Sequence, residues 1–286
     1  MPRPFSEFET LAACPVCGAP GPFDQFEEHV ARCRQCRTLF DNPRPTQREI
    51  AASYNEGATY DGWDRESRDW KKMWELRLKL VGANPLPGTR LLDVGAGDGS
   101  FLELARRHGY DVLGTEFSGE GARRARELGL EIRLGQFCDI DFGGRRFDII
   151  TIWHVLEHVP NPGQVLARAF ELLQPGGRLV VAVPNEDNAL VNHRLGRRRS
   201  LVPGGLFPKP QRGSEIHLVH FQKPTLAGAL RRAGFEIVRT GIDDIHSWTS
   251  LRRRLVLAMQ TSLDRVLGWN FSIAMYAVGR KPPAAA

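Results

Sequence analysis

The chain has 286 residues, of which 42% are hydrophobic and 25% charged, values that are ordinary for a globular protein. This length accommodates one substantial domain and a small accessory module. The net charge of +6 favours an acidic partner such as a phosphate compound or nucleic acid. Because no apolar segment is long enough to span a membrane and residues 1–8 lack the apolar core of a signal peptide, we expect a cytoplasmic protein with no membrane partner.

Four of the five cysteines form two C-x2-C pairs near the N-terminus. They are Cys14, Cys17, Cys33 and Cys36. This spacing places four thiolates around one zinc ion, each pair coming from a tight turn. Disulfides are the alternative, but paired C-x2-C motifs in a reducing compartment favour metal. We therefore predict a zinc-ribbon module over residues 1–42, in which structural zinc stabilises a segment too small to have an adequate core.

Residues 43–87 are predicted to form a helical linker. Thr46 is a suitable cap for a short helix that runs to Ala52, with Glu49 as its capping-box partner. A longer helix is expected from Asp64 to Val81, because its apolar residues recur at helical spacing. Turn residues at positions 86–88 mark the start of the next domain.

Residues 90–102 combine an apolar run with a glycine-rich turn and a helical segment. The glycines are Gly95, Gly97 and Gly99. This pattern indicates a buried strand, a tight turn and a helix, the first unit of a doubly wound α/β domain. The spacing differs from the dinucleotide fingerprint G-x-G-x-x-G, and the carboxylates of Asp93 and Asp98 would repel a phosphate. A cationic ligand suits this loop better.

The next predicted strand, from Tyr110 to Phe117, ends at Glu116, where such folds hold ribose hydroxyls. Together the glycine loop and this acidic residue resemble the class I S-adenosylmethionine (SAM)-dependent methyltransferases. The resemblance implies that Asp93 contacts the ammonium group of SAM through water and that Glu116 contacts its ribose. Other implied cofactor contacts are Gly95, Gly97, Gly99, Phe117, Asp139, Trp153 and His154. Asp139 stands where the family places an acid on the adenine amine, with Asp141 as the alternative.

The same resemblance implies a Rossmann-like, mostly parallel sheet of seven strands over residues 88–286. Further strands are expected at residues 131–134, 147–153, 178–184, 236–240 and 272–278. We expect the last strand to be antiparallel to the one before it. In this family a helical segment placed like residues 43–87 covers the cofactor pocket.

The fourth strand runs into His154-Val155-Leu156-Glu157-His158, which resembles a signature of the family at this position. The end of this strand faces the methyl group in the family, so His154 is the first candidate for a general base. His217 and His220 are further catalytic candidates, because they follow a long polar segment.

His154, Glu157 and His158 are also spaced to share one face of a helical turn. Some relatives bind a divalent metal through a Glu-x-x-Glu-His motif, but here His154 replaces the first glutamate. We therefore expect structural hydrogen bonds at this turn rather than a metal.

Residues 185–216 interrupt the α/β pattern with a long polar segment. Its basic residues are Arg194, Arg197, Arg198, Arg199, Lys209 and Arg212. A segment of this length within a compact domain is usually functional. We predict a substrate lid whose guanidinium groups clamp a phosphate; a solvated run of charge is the alternative.

The resemblance as a whole predicts an enzyme that transfers a methyl group from SAM to a small-molecule acceptor. A four-cysteine ribbon joined to this domain resembles bacterial enzymes that methylate nucleotide-linked sugars or other small metabolites at oxygen, nitrogen or carbon. RNA base methylation is an alternative, since zinc ribbons and positive charge occur there too, although aromatic residues do not alternate with the basic cluster. A non-catalytic binding protein is the third hypothesis, against which the intact glycine loop and Glu116 weigh.

Overall fold

The computed structural model describes residues 3–56, 67–187, 190, 207, 209–212, 215–243, 251–268, 270 and 272–284. The strands in these ranges are β1 (Arg3–Pro4), β2 (Phe8–Glu9), β3 (Asp24–Glu27), β4 (Val30–Arg32), β5 (Leu39–Asp41), β6 (Arg44–Pro45), β7 (Arg90–Val94), β8 (Asp111–Glu116), β9 (Ile132–Leu134), β10 (Phe147–Trp153), β11 (Leu173–Pro184), β12 (Gln211–Arg212), β13 (Val219–His220), β14 (Glu236–Ile242) and β15 (Ala274–Arg280). The helices are α1 (Gln47–Glu56), α2 (Arg68–Val81), α3 (Ser100–Arg107), α4 (Gly119–Glu127), α5 (Pro162–Leu172), α6 (Lys223–Arg232) and α7 (Leu251–Leu267), with one 3-10 turn at Phe137–Asp139. None of these helices is long and apolar enough to pass through a bilayer.

A seven-stranded sheet forms the centre of the molecule, in the order β14-β15-β11-β10-β7-β8-β9. The five strands β7 to β11 run parallel to one another within this sheet. Strand β15 is antiparallel to both β11 and β14. The predicted α/β fold with an antiparallel last strand is therefore confirmed. The chain leaves β7 toward β8 and returns through β10 on the other side, so a ligand crevice is expected at the carboxyl ends of β7 and β10.

Local sequence signals account for most helix boundaries. Ser67 and Ser118 cap α2 and α4, since their side chains accept hydrogen bonds from backbone amides in the first turn. Pro162 starts α5, where its missing N–H costs nothing. The longer helix predicted from Asp64 begins at Arg68, and residues 57–66 lie outside the described ranges.

Strand β11 begins five residues before the predicted start at Arg178. Helix α5 ends at Leu172, and Leu173 already pairs with Phe147 of β10. Pro175, Gly176 and Gly177, residues typical of a turn, are therefore part of an irregular strand, with a register shift between Phe147 and Ile149. This irregularity lets the chain enter the sheet without a separate loop.

Two hydrophobic clusters cover the two faces of the central sheet. One contains residues of α2, α3 and α4, including Leu78, Phe101 and Ala122. The other combines α5 and α6 with residues of the N-terminal cysteine module, including Cys33 and Phe40. The module therefore shares a core with the α/β domain.

The cysteine module, formed by strands β1 to β6 and the cysteine turns, also shares backbone pairing with the rest of the chain. Strands β3, β4 and β5 form an antiparallel sheet whose fourth strand is β13. The amide of Gly163 at the start of α5 donates to the carbonyl of Pro15, 3.2 Å away. A division of the chain at residue 42 stays a prediction, because this sheet draws on residues far beyond it.

Candidate active site

The glycine loop after β7 is shaped by tight packing. Gly95 has φ 73°, and a Cβ there would lie 2.4 Å from the side chain of Val155. Gly99 has φ 81°, and its Cβ would lie 2.7 Å from Leu130 and 2.8 Å from Ala125. These two glycines therefore allow the loop to lie against the end of β10 and against α4.

The Glu116 carboxylate connects this loop to the end of β8. One oxygen accepts a hydrogen bond from the amide of Gly97 at 2.7 Å. The other accepts from the amides of Phe117 at 2.9 Å and Ser118 at 2.8 Å. Glu116 is buried, so the negative charge is held at a fixed position beside the loop.

Asp93 adds a second carboxylate at the carboxyl end of β7. Its Oδ1 accepts a hydrogen bond of 2.6 Å from the hydroxyl of Thr151. Burial raises the pKa of Asp93 to about 7; the Thr151 hydrogen bond opposes this rise and the nearby Glu116 charge adds to it. A cation placed between Asp93 and Glu116 would favour the ionised form.

Two predicted cofactor contacts, Phe117 and Asp139, follow the ends of β8 and β9, and Leu134, which was not predicted as a contact, is the last residue of β9. Phe117 is 38% exposed and Leu134 is 51% exposed, while Asp139 is exposed in the 3-10 turn after β9. These side chains offer an apolar surface and an acceptor to a purine. Together with Asp93 and Glu116, they fit the cationic, ribose and adenine parts of SAM.

Trp153 is buried rather than open to the crevice. Its ring centroid lies 5.2 Å from that of Phe101, and the Arg77 guanidinium lies 5.2 Å from the Trp153 ring. Arg77 also lies 4.8 Å from the ring of Trp74. Two indole rings therefore enclose one cationic side chain at the carboxyl end of β10.

Arg77 belongs to a buried chain of charges that ends at His154. Its guanidinium donates two hydrogen bonds to Asp243, at 2.6 and 3.2 Å. The Asp243 carboxylate also lies 2.9 Å from His154 Nε2. Arg77 and Asp243 are both 4% exposed.

His154 adopts a left-handed backbone conformation, with φ 53°. The segment after it is a turn rather than a helix, so the expected common face of His154, Glu157 and His158 does not form. Burial lowers the pKa of His154, but the carboxylates of Asp243 and Glu157 outweigh it and raise the pKa to about 9. The ring is therefore protonated at neutral pH, with Nε2 facing Asp243 and Nδ1 3.4 Å from Glu157.

His217 takes the place beside Glu157 and His158 that the sequence assigned to His154. The three side chains each offer a ligand atom, and these atoms lie within 4.8 Å of one another, so the group could hold a metal ion. His158 Nδ1 donates to the carbonyl of Ile216, which leaves Nε2 facing Glu157 and Glu215. The absence of a metal at this turn stays a prediction.

His220 lies where β13 joins the cysteine module. Its Nε2 is 2.9 Å from Asp41 Oδ1 at the end of β5, and both side chains are buried. The amides of Leu218 and Val219 donate to the carbonyl of Glu157, at 2.8 and 3.1 Å. These bonds place β13 against the carboxyl end of β10, so the segment with His217 and His220 borders the same end of the sheet as His154.

The four cysteines of the module form one cluster with free thiols. The sulfur atoms of Cys14 and Cys36 are 3.6 Å apart, and those of Cys17 and Cys33 are 3.7 Å apart. Thiolates around a tetrahedral zinc lie about 3.8 Å apart when each zinc–sulfur bond is about 2.3 Å. The hydrogen bond from Cys14 lowers the pKa of Cys36 to about 4. The donor set fits a structural zinc ion, and the sulfur distances exclude the disulfide alternative.

Little of the predicted lid lies within the described residues. Lys209 forms an ion pair of 2.7 Å with Glu28 of the cysteine module, so it is not held ready for a phosphate. The side chain of Arg212 is not described. The remaining arginines of the predicted clamp, Arg194, Arg197, Arg198 and Arg199, lie outside the described ranges.

Three charged residues of the site were missed by the sequence analysis. They are Asp41, Arg77 and Asp243. Arg77 interrupts the apolar stripe of α2, which is a signal that a buried anion must accompany it. Asp41 and Asp243 each come at or just after the end of a strand, but their partners are distant in sequence.

The family model and the similar sequences all belong to methyltransferases. A family model described as a methyltransferase domain matches residues 64–240. A ubiquinone biosynthesis O-methyltransferase of Ralstonia nicotianae is 30% identical over 218 residues, which cover 72% of this chain and 87% of that enzyme. The enzyme of the same name from Paracidovorax citrulli is 28% identical over the same shares of the two chains.

A solved structure supports the fold alone. The CcbJ methyltransferase of Streptomyces caelestis is 17% identical, with a TM-score of 0.53 over 80% of this chain and 98% of that one. At this identity the likeness carries no information about the acceptor.

Proposed function

Because the chain belongs to the methyltransferase-domain family and is a SAM-dependent methyltransferase, we propose that it methylates an oxygen atom of a small-molecule acceptor. The support is the similarity to enzymes named ubiquinone biosynthesis O-methyltransferase, about 30% identical over most of their length. The acceptor is of the biosynthetic-metabolite class, which includes sugars linked to nucleotides. Methylation at nitrogen or carbon is the alternative outcome of the same reaction.

The observation that carries the proposal is the set of hydrogen-bonding groups at the carboxyl ends of β10 and β11. Histidines and carboxylates converge there, namely His154, Glu157, Glu186, His217 and His220. Such groups can both donate to and accept from a hydroxyl. The carboxylates among them also make this end of the crevice unfavourable for a phosphate.

Bound SAM supplies an activated methyl group, because a sulfonium leaves as a neutral thioether. The residues of this chain then have two tasks, to hold the cofactor and to orient the acceptor in a site that excludes water. Asp93 attracts the cationic end, Glu116 accepts from the ribose, and Phe117 and Asp139 contact the adenine. His154, protonated between two carboxylates, donates hydrogen bonds that orient the acceptor end of the site.

The test is transfer of radiolabelled methyl from SAM to a panel of one catechol, one nucleotide sugar and one RNA transcript. We expect label in a small-molecule product and, by mass spectrometry, a methyl ether. Label in RNA alone would replace the proposal with RNA modification. SAM binding without transfer to any of the three would favour a non-catalytic protein.

The part played by His154 is tested by His154→Ala. We expect turnover to fall by about 10²-fold while the SAM dissociation constant changes little. The earlier prediction that His154 is the general base requires its neutral form, which is a minority below pH 9 because the pKa is about 9. Full activity of the variant would remove His154 from the mechanism.

A further inference from the structure

Buried polar atoms without a hydrogen-bond partner concentrate at the junction of the cysteine module and the α/β domain. At this junction they belong to His29, Asp41, Glu157, His217 and His220; others within the described ranges, among them the indoles of Trp74 and Trp153 and the Nε of Arg168, lie elsewhere. Buried polar groups are nearly always hydrogen-bonded, so such a concentration calls for an explanation. A polar ligand that binds at this junction would supply the missing partners.

The contact with Asp41 determines which nitrogen of the His220 ring carries the hydrogen. It accepts from His220 Nε2 at 2.9 Å, and the side chains are 1% and 4% exposed. Asp41 is itself held in place, because its amide donates to the carbonyl of Leu218 at 2.9 Å. A carboxylate on Nε2 selects the Nε2–H tautomer, which leaves Nδ1 with a lone pair.

The Nδ1 of His220 is the atom of this ring that remains available to a hydroxyl. It has no hydrogen-bond partner within the described residues and lies 4.0 Å from Glu186 Oε1. This separation is too long for a direct hydrogen bond. Both atoms are acceptors, so a hydroxyl that donates to Nδ1 leaves Glu186 to accept from a second donor. Glu186 comes two residues after β11, and its amide bonds to the carbonyl of Phe221. Glu186 therefore places the Nδ1 side of His220 near the carboxyl end of β11.

We propose that His220 is the general base that takes the proton of the acceptor hydroxyl, and that Asp41 of the cysteine module is its positioning residue. This inference rests on the proposed function and assigns the acceptor class as an uncharged hydroxyl. The acceptor O–H bond breaks and its proton goes to Nδ1 of His220. The acceptor oxygen bonds to the methyl carbon as the carbon–sulfur bond breaks, and that electron pair remains on sulfur. The ring later releases the proton to solvent.

The arrangement gives the cysteine module a part in the reaction. Cys33 and Cys36 lie in the segment between β4 and β5, Asp41 is the last residue of β5, and β13 carries His220 into the same sheet as its fourth strand. The other groups that face His220 are Glu186 and the ring of Phe207, whose centroid lies 4.2 Å from that of the imidazole. Two carboxylates on either side of one imidazole favour a hydroxyl over a phosphate as the bound group.

The first test needs no acceptor. Nitrogen-15 NMR of the imidazole rings in the full-length, zinc-loaded protein should report His220 as the Nε2–H tautomer. Asp41→Asn should shift the ring toward a mixture of tautomers, and Asp41→Glu should restore the wild-type signal in part. The matched control is Asp24→Asn, which breaks an exposed ion pair with Arg34 in the same module. An unchanged His220 signal in Asp41→Asn would overturn the proposal.

The second test uses the catechol and the nucleotide sugar as probes. Asp41→Asn and His220→Gln should each lower kcat by about 10²-fold with little change in the SAM dissociation constant. The double variant should lose no more than either single variant, because the two residues act as one unit. Additive losses, or an equal loss in Asp24→Asn, would contradict a specific pair. Wild-type protein inactive on both probes would count against the proposed function, whereas the NMR result would still decide the Asp41–His220 pair.

Discussion

Asp93 is 1% exposed at the carboxyl end of β7, where its carboxylate cannot be solvated by water. Burial raises its pKa from 3.8 to about 7, so the folded protein holds this proton more tightly than the unfolded chain does. The contribution of Asp93 to the free energy of unfolding therefore falls between pH 3.8 and about 7. A buried carboxylate that lowers the free energy of unfolding near neutral pH is typical of a ligand-binding position.

We predict that SAM affinity rises with pH through about 7. Only the ionised Asp93 attracts the ammonium group, so the wild-type dissociation constant should be about tenfold weaker at pH 6 than at its high-pH limit. Calorimetric titration across pH 5.5 to 8.5 measures this change. Asp93→Asn should bind weakly at every pH, and a wild-type affinity independent of pH would contradict this role.

The Arg77–Asp243 pair provides a second prediction at this scale. Asp243→Asn should lower the free energy of unfolding by about 3 kcal/mol, because it leaves the Arg77 charge buried without its counter-charge. The control is Glu236→Gln, which breaks an exposed pair between the first residue of β14 and Arg280 of β15. That change should cost less than about 1 kcal/mol by chemical denaturation. Equal costs would mean that the buried pair is not stabilising the fold.

The same variant has a signature in the pH dependence of stability. The pKa of His154 rises from 6.5 to about 9, so its protonated form stabilises the fold fully below pH 6.5 and that contribution is lost as pH rises through 9. Asp243→Asn removes the negative charge beside Nε2, so it should lower the pKa of His154 and reduce this loss, which chemical denaturation at pH 6 and pH 9 measures.

Some residues of the site could be predicted from the sequence because their signal is local. Glu116 follows the glycine loop at a spacing that the fold determines, and it lies beside Gly97 as that spacing requires. Arg77 and Asp243 are 166 positions apart, so no local pattern relates them. The turn of His154 toward Asp243 depends on this distant pair, which explains why the expected helical face was wrong.

At the scale of elements, the glycine loop shows how packing and backbone conformation combine. Gly88 and Gly99 have nearly the same φ, 80° and 81°. A Cβ at Gly88 would meet nothing within 4 Å, whereas a Cβ at Gly99 would lie 2.7 Å from Leu130. Substitutions at the two positions therefore distinguish the cost of a left-handed backbone from the cost of a steric clash between the new Cβ and its neighbours.

We predict that Gly88→Ala lowers the free energy of unfolding by about 1 kcal/mol, the cost of a left-handed alanine. Gly99→Ala should cost about 2 to 3 kcal/mol more, since it also pushes α3 away from α4. Thermal and denaturant unfolding of both variants measure the difference. Equal costs would show that the loop can relax away from Leu130.

Most strands and helices could be predicted, because apolar runs, caps and prolines mark their ends locally. The start of β11 could not, since Leu173 is drawn into the sheet by Phe147 of another strand. Nor could β13, which is only Val219–His220 and forms because β5 offers an edge. Elements that depend on a distant partner leave little trace in composition.

At the scale of the whole molecule, the cysteine module and the α/β domain share one core. The cluster that contains Cys14, Cys33 and Cys36 also contains Leu156 and Phe221. The C-x2-C spacing predicts the metal cluster but not this contact, because nothing in the motif indicates which surface the module covers. Metal binding should therefore stabilise more than the module itself.

We predict one zinc ion per chain and a single cooperative unfolding transition for the zinc-loaded protein. Removal of zinc by a chelator should lower the melting temperature and split the transition, because the module unfolds first and exposes one face of the α/β domain. Metal analysis and scanning calorimetry test this, with Cys36→Ser as the matched variant. Two separate transitions in the zinc-loaded protein would contradict a shared core.

The central claim is that SAM binds between Asp93 and Glu116, over the glycine loop. The most direct measurement is calorimetric titration of SAM into the wild type, Gly97→Arg and the control Gly88→Arg. Gly97 is buried beside Glu116, whereas a side chain at Gly88 meets nothing within 4 Å. The account predicts one SAM per chain in the wild type and in Gly88→Arg, and no binding in a folded Gly97→Arg. Equal affinity in all three proteins would contradict it.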